Sequence, residues 1–199
     1  EPYRRQRQMC IRDRLKSGLL RSVAVTAVLG MGYAVQAQTF VHEGLIYKVS
    51  KGAVAVQKPG TKLTSGTAPT DYTGAISVPK SVSYNGKNYN VASIAGSAFA
   101  NTSITSITIA DGNAIDIGRG AFMNCQQLET VVLNNDLPSM KGNLFQGCSK
   151  LRTITIPGSV TTVPNLTFGD NIIKVDGEDV TLKCEALEEI VFAESDQPL

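Results

Sequence analysis

The sequence has no tryptophan and a single histidine, and aromatic residues fill only 6% of its 199 positions. Any Ser-His-Asp or Cys-His relay would have to pass through His42, and its Phe40-Val41 surroundings offer no partner held in turn by a third group. His42 therefore reads as a solvated or capping residue, and no catalytic residue is assigned. The scarcity of rings means that the core must be built from Ile, Val, Leu and a few Phe, which suits β-rich packing.

A coherent charge of one sign is also missing. The formal net charge is +2, but seven of the 19 Lys and Arg lie at or before Arg21, and residues 38–199 carry 12 basic against 15 acidic side chains. That balance leaves no electrostatic footprint for nucleic acid. Nor is there a long hydrophobic run. The most apolar stretch, Ser22 to Val35, is shorter than the ~20 residues a spanning helix needs. It follows Lys16 and Arg21 and closes on Val35-Gln36-Ala37, a secretory signal pattern with a cut after Ala37. Residues 1–37 are thus expected to be a signal peptide behind a leader that is in part non-native, and the mature chain is expected to be exported with no membrane span. No Cys follows the cut, so a lipoprotein anchor is not supported.

What the sequence does contain is a repetition. Phe99, Phe122, Phe145 and Phe168 are each 23 residues apart, and the same step links Cys125 to Cys148, Leu128 to Leu151, Val131 to Ile154 and Leu133 to Ile156. Each period carries L-x-x-I-x-I, in "ITSITI", "LETVVL", "LRTITI" and "LEEIVF", and its alternating end predicts a short strand with Val131, Leu133, Ile154 and Ile156 inward. The arcs "IGRGAFMNC" and "MKGNLFQGC" return the chain, with Phe plugging the core. A unit this short cannot bury its apolar side alone, so its neighbours must stack on it.

This period and the form "AFxxCxxLxxVxL" resemble the BspA-like leucine-rich repeat of bacterial surface and secreted proteins, over about Ile94 to Phe192. The expected fold is a leucine-rich-repeat solenoid of 23-residue repeats, with short parallel strands and irregular or short helical arcs. About four repeats are assigned to residues 92–199. Repeat one has Thr102 in the Cys position, and repeat four carries an insertion that reads as a β-hairpin around Asp176-Gly177, near residues 170–183. Residues 38–91 show hairpin signals at Lys51-Gly52 and Asn85-Gly86 and are expected to form an N-terminal β cap, with a Pro/Gly/Ser/Thr-rich loop over residues 57–74.

Cys125, Cys148 and Cys184 read first as a buried thiol ladder, with a disulfide second and a metal third, since no His lies nearby to complete a site. Asp170, Asp176, Glu178 and Asp179 lack calcium-loop spacing, Glu185, Glu188 and Glu189 read as a solvated face, and no cofactor or metal is assigned. What remains is the outward face of the strands. Thr105, Thr130, Thr153 and Glu189 are expected in one row, and Thr108, Val132, Thr155 and Val191 in another, as a candidate ligand face. The resemblance implies a non-enzymatic, secreted or surface-displayed module adhering to protein or glycan on host, matrix or other cells. The alternatives are a carbohydrate-binding accessory protein or the non-catalytic part of a longer secreted enzyme. The abrupt stop after "IVF" leads us to expect a truncated array whose apolar end self-associates end to end.

Overall fold

The computed structural model describes residues 38–193 except 65 and 134; the expected signal peptide and the residues after Ala193 lie outside it. Thirteen strands lie in the described residues. β1 (Thr39–His42), β2 (Leu45–Ser50) and β3 (Ala53–Gln57) form an antiparallel meander. Its turns place Glu43-Gly44 and Lys51-Gly52 at positive φ, the geometry that a two-residue hairpin demands. β5 (Ser81–Tyr84) and β6 (Lys87–Ile94) close a further hairpin at Asn85-Gly86. β3 then pairs parallel to β6, and β6 parallel to β8 (Asp116–Ile117).

The second sheet is parallel throughout. Its order is β13 (Glu189–Phe192), β10 (Thr153–Ile156), β9 (Thr130–Val132), β7 (Ser103–Ile109) and β4 (Thr73–Val78). β4 corrects the expected organisation, because it begins inside the segment read as a loop and lies wholly in the segment read as cap. It nevertheless pairs parallel to β7 as one more coil of the stack. β11 (Asn171–Val175) and β12 (Glu178–Leu182) are an antiparallel pair of their own.

The arcs are not helices. Each is a chain of tight turns, such as Ala121 N–H to Gly118 O and Met123 N–H to Gly120 O, interrupted by left-handed residues, two in each of the first three arcs and one in the fourth. Ser97, Gly120, Asn143 and Leu166 take one such position, and Asn101, Asn124 and Gly147 the other. Left-handed residues at this frequency cannot propagate a right-handed helix. They turn the arc amides outward along the stack instead. Phe99 N–H donates to Ala121 O (2.8 Å), Phe122 N–H to Leu144 O (3.1 Å) and Phe145 N–H to Thr167 O (2.8 Å). Each coil is therefore bonded to the next on its arc side as well as on its strand side, which pairs arc backbone groups that burial would otherwise strand.

Between the two ladders lies the core. The rings of Phe99, Phe122, Phe145 and Phe168 stack with centroids 5.3–5.7 Å apart, and Tyr72 extends the column by packing on Phe99 at 5.3 Å. Leu128, Leu151, Val131, Ile154, Leu133 and Ile156 are all buried around it. Tyr72 also ties the meander to the stack, since its hydroxyl donates to Gln57 O (2.8 Å) and accepts from Ile46 N–H (3.0 Å). Burial pushes that hydroxyl's pKa up to about 12.

Candidate functional site

The parallel register brings the outward side chains of successive coils side by side. Thr130 stands opposite Thr153, and Thr153 opposite Glu189; Val132 stands opposite Thr155, and Thr155 opposite Val191. At the other edge Ser106 meets Thr130 and Thr108 meets Val132. Neighbours in such a row are about 4.8 Å apart. All of these side chains are exposed except half-buried Ser106, and Val132 shows 47% of its surface to solvent.

Thr105 does not belong to the row expected for it. A bulge opposite Gly74-Ala75 adds a residue to β7, so Ser106 takes the place next to Thr130. Thr105 falls one row earlier, where its carbonyl accepts from Glu129 N–H; the Glu129 carbonyl accepts from Arg152 N–H, and the Arg152 carbonyl from Glu188 N–H. This flanking row is charged, with Arg152 and Glu188 in a loose exposed pair at 3.9 Å. Sequence spacing also missed two members. Ala75 and Ser77 of β4 extend the rows beyond Ser106 and Thr108, and both are exposed. The face is thus five strands wide, small and hydroxyl-bearing, with Val132 and Val191 as apolar points and Glu189 as its one formal charge.

The cysteines are placed differently. Each thiol donates to the carbonyl of a core phenylalanine one coil back: Cys125 to Phe99 O (2.9 Å), Cys148 to Phe122 O (3.1 Å) and Cys184 to Phe145 O (3.1 Å). Thr102 adjoins the head of the ladder, with its hydroxyl 3.7 Å from the Cys125 sulfur. All three cysteines are free. A hydrogen bond shared with Cys125, together with burial, raises the Cys148 pKa, and burial raises that of Cys184. The bond shared with Cys148 lowers the Cys125 pKa, but that thiol is fully buried and spends its proton on Phe99 O, so the ladder is one of structural donors rather than nucleophiles.

Elsewhere, His42 sits half-buried on β1, 4.0 Å from Glu43. Asp176 and Gly177 both take positive φ in the turn between β11 and β12, and Asp179 pairs with Lys174 at 2.6 Å. Among the described residues, no His, Cys, Asp or Glu side chains gather in a group of three or more that could hold a metal ion. No helix there is long and apolar enough to cross a membrane.

Residues 80–174 match the model of the BspA type leucine rich repeat region, in 6 copies where sequence spacing gave about four. A leucine-rich repeat protein from Bacteroides capillosus ATCC 29799 superposes with a TM-score of 0.56 at 25% identity, covering 78% of this chain and 99% of its own. One from Bacteroides ovatus ATCC 8483 gives 0.52 at 24% identity over 76% of this chain, which spans 40% of that longer structure. No curated protein matches.

Proposed function

The repeat segment of this chain, residues 80–174, belongs to the BspA-type leucine-rich repeat family, and on that premise we propose an exported, non-catalytic adhesion module that binds protein through its strand face. The observation that carries this reading is the in-register face itself, five strands wide and bonded on both sides of every coil. A rigid surface spends little entropy on docking, and Val132 and Val191 offer apolar contacts among hydroxyls that can donate or accept. Export is supported by the apolar run that ends on Val35-Gln36-Ala37. The antiparallel β1–β3 meander acts in this reading as the N-terminal cap. End-to-end self-association is part of it too, because eight of the ten exposed large apolar residues described lie between Val163 and Phe192.

The test is binding of the chain to a panel of purified extracellular-matrix proteins, measured by surface plasmon resonance. Val132→Glu with Thr155→Glu should weaken the interaction at least about tenfold, while Glu43→Ala on the β1–β2 turn should not change it. Absence of binding across the panel, or equal binding by the double variant, would refute the strand-face reading.

A further inference from the structure

A second surface feature shares no residue with the strand rows. The Lys58-Pro59 turn, Thr70-Asp71 and the first arc enclose a hollow of about 340 Å³, and a second hollow of about 240 Å³ adjoins it across Asn101 and Thr102. The second reaches one coil further, to Asn124, Gln126 and Gln127. Joined, they form a groove in the size range of small-ligand sites, roughly 300–1,000 Å³.

Its lining is mainly polar, with Pro59 and Ala100 as apolar wall in the larger hollow, and the hydrogen bonds within it decide what is left for a ligand. Asn171 Nδ2 donates to Asn124 Oδ1 (2.7 Å), and Asn124 Nδ2 donates to Asn101 Oδ1 (3.0 Å). This amide relay fixes the orientation of Asn101, whose own Nδ2 is the end of the chain. Lys150 Nζ occupies Gln127 Oε1 (2.6 Å), so Gln127 presents its NH₂. Asp71 spends Oδ1 on Tyr72 N–H (2.7 Å) and keeps its second oxygen. Among the described residues, the side chains of Ser103 and Gln126 have no partner. Asn124 and Thr102 are buried beneath them, at 7% and 5% exposure, so the floor is held in place.

We infer that this groove binds a short neutral oligosaccharide. The oriented NH₂ groups of Asn101 and Gln127, the unpartnered amide of Gln126 and hydroxyl of Ser103, and one carboxylate oxygen of Asp71, spread over two coils, match a ligand whose every hydroxyl both donates and accepts. The lining carries one ammonium, Lys58, and one carboxylate, Asp71, a balance that does not favour a phosphate or polyanion. A peptide would need a pocket for an apolar or aromatic anchor, and Pro59 and Ala100 supply none. The same lack of a ring to stack on a sugar sets the affinity on the order of 1 mM.

The test is an NMR titration of ¹⁵N-labelled protein with tetrasaccharides of β-1,4-glucose, β-1,3-glucose, α-1,4-glucose and β-1,4-xylose at up to about 20 mM. At least one should shift the side-chain NH₂ resonances of Asn101, Gln126 and Gln127. Gln126→Ala with Asp71→Asn, which retains the cap on Tyr72 N–H, should weaken that response about tenfold or more with an unchanged melting temperature. Val132→Glu should leave it untouched, which separates this site from the strand face. The inference falls if no sugar shifts these amides, if the shifts map elsewhere, if the double variant binds as before, or if a Ser/Thr-rich peptide shifts them where the sugars do not.

Discussion

Replacing Phe122 by Ala removes the middle of the aromatic column. The ring is fully buried and stacked on both faces, 5.4 Å from Phe99 and 5.3 Å from Phe145, with interplanar angles of 15° and 5°. Loss of its transfer free energy plus the cavity left behind costs about 3–5 kcal/mol in a site that cannot collapse. This site cannot, because the coil spacing is pinned on the arc side by Asn101 N–H to Met123 O and Asn124 N–H to Gln146 O. Two lost ring pairs, at about 0.5–1.5 kcal/mol each, place the change at the upper end. Phe168 has one ring neighbour, at 5.7 Å, and is only half-buried, so Phe168→Ala should cost about 1–2 kcal/mol. Urea melts followed by far-UV circular dichroism suit a chain without Trp. With a slope of about 2 kcal/mol/M, Phe122→Ala should lower the midpoint by about 2 M. Equal losses for the two variants, or a loss under about 1 kcal/mol for Phe122→Ala, would refute the stacked-column assignment.

Tyr72→Phe strands Ile46 N–H and Gln57 O and should cost about 1–3 kcal/mol by chemical denaturation, against no change if the hydroxyl were solvated. The folded hydroxyl keeps its proton to about pH 12, against an ordinary value of 10.0, so its contribution is intact below pH 10 and lost as the pH rises through 12. Absorbance titration of phenolate should show this group ionising well above pH 10 or only with unfolding, and free ionisation near pH 10 would contradict it. A Cβ at Gly118 would lie 2.7 Å from Gly96 Cα, whereas one at Gly142 would stand 3.5 Å from Asn165 O. Gly118→Ala should therefore lower stability by about 1–3 kcal/mol and Gly142→Ala leave it the same or slightly higher, and calorimetric melting that reversed this order would overturn the packing described. Iodoacetamide at pH 8 should spare Cys125 and Cys148 in the folded protein and label all three described cysteines in urea; mass spectrometry finding native labelling of Cys148 would disprove the thiol ladder.

The periodic part of the fold was legible because each coil repeats the same needs: Phe for the column, Leu and Ile for the strand, Cys for a small donor under a carbonyl. The first parallel coil was not. Its ring is Tyr72, 27 residues before Phe99 rather than 23, and its strand "TGAISV" lacks the leading Leu. Thr105 was misplaced because a bulge changes register without changing sequence pattern. The left-handed positions had a partial signal in Asn101, Asn124 and Gly147, but Ser97 and Leu166 occupy the same geometry with residues that do not advertise it. The polar groove had no signal, since its walls come from separate turns that only the stacking of coils brings together.

Coils bonded to one another through their arcs as well as through their strands are what would make the strand face rigid. Native-state amide hydrogen exchange measures this directly. Phe99, Asn101, Phe122, Asn124 and Phe145 lie in turns, where amides ordinarily exchange fast, yet each donates to the next coil at 2.8–3.1 Å. Their protection should approach that of Val131 and Ile154 in the strands. Exchange of these five amides at loop rates, with only the strands protected, would contradict the double-bonded stack.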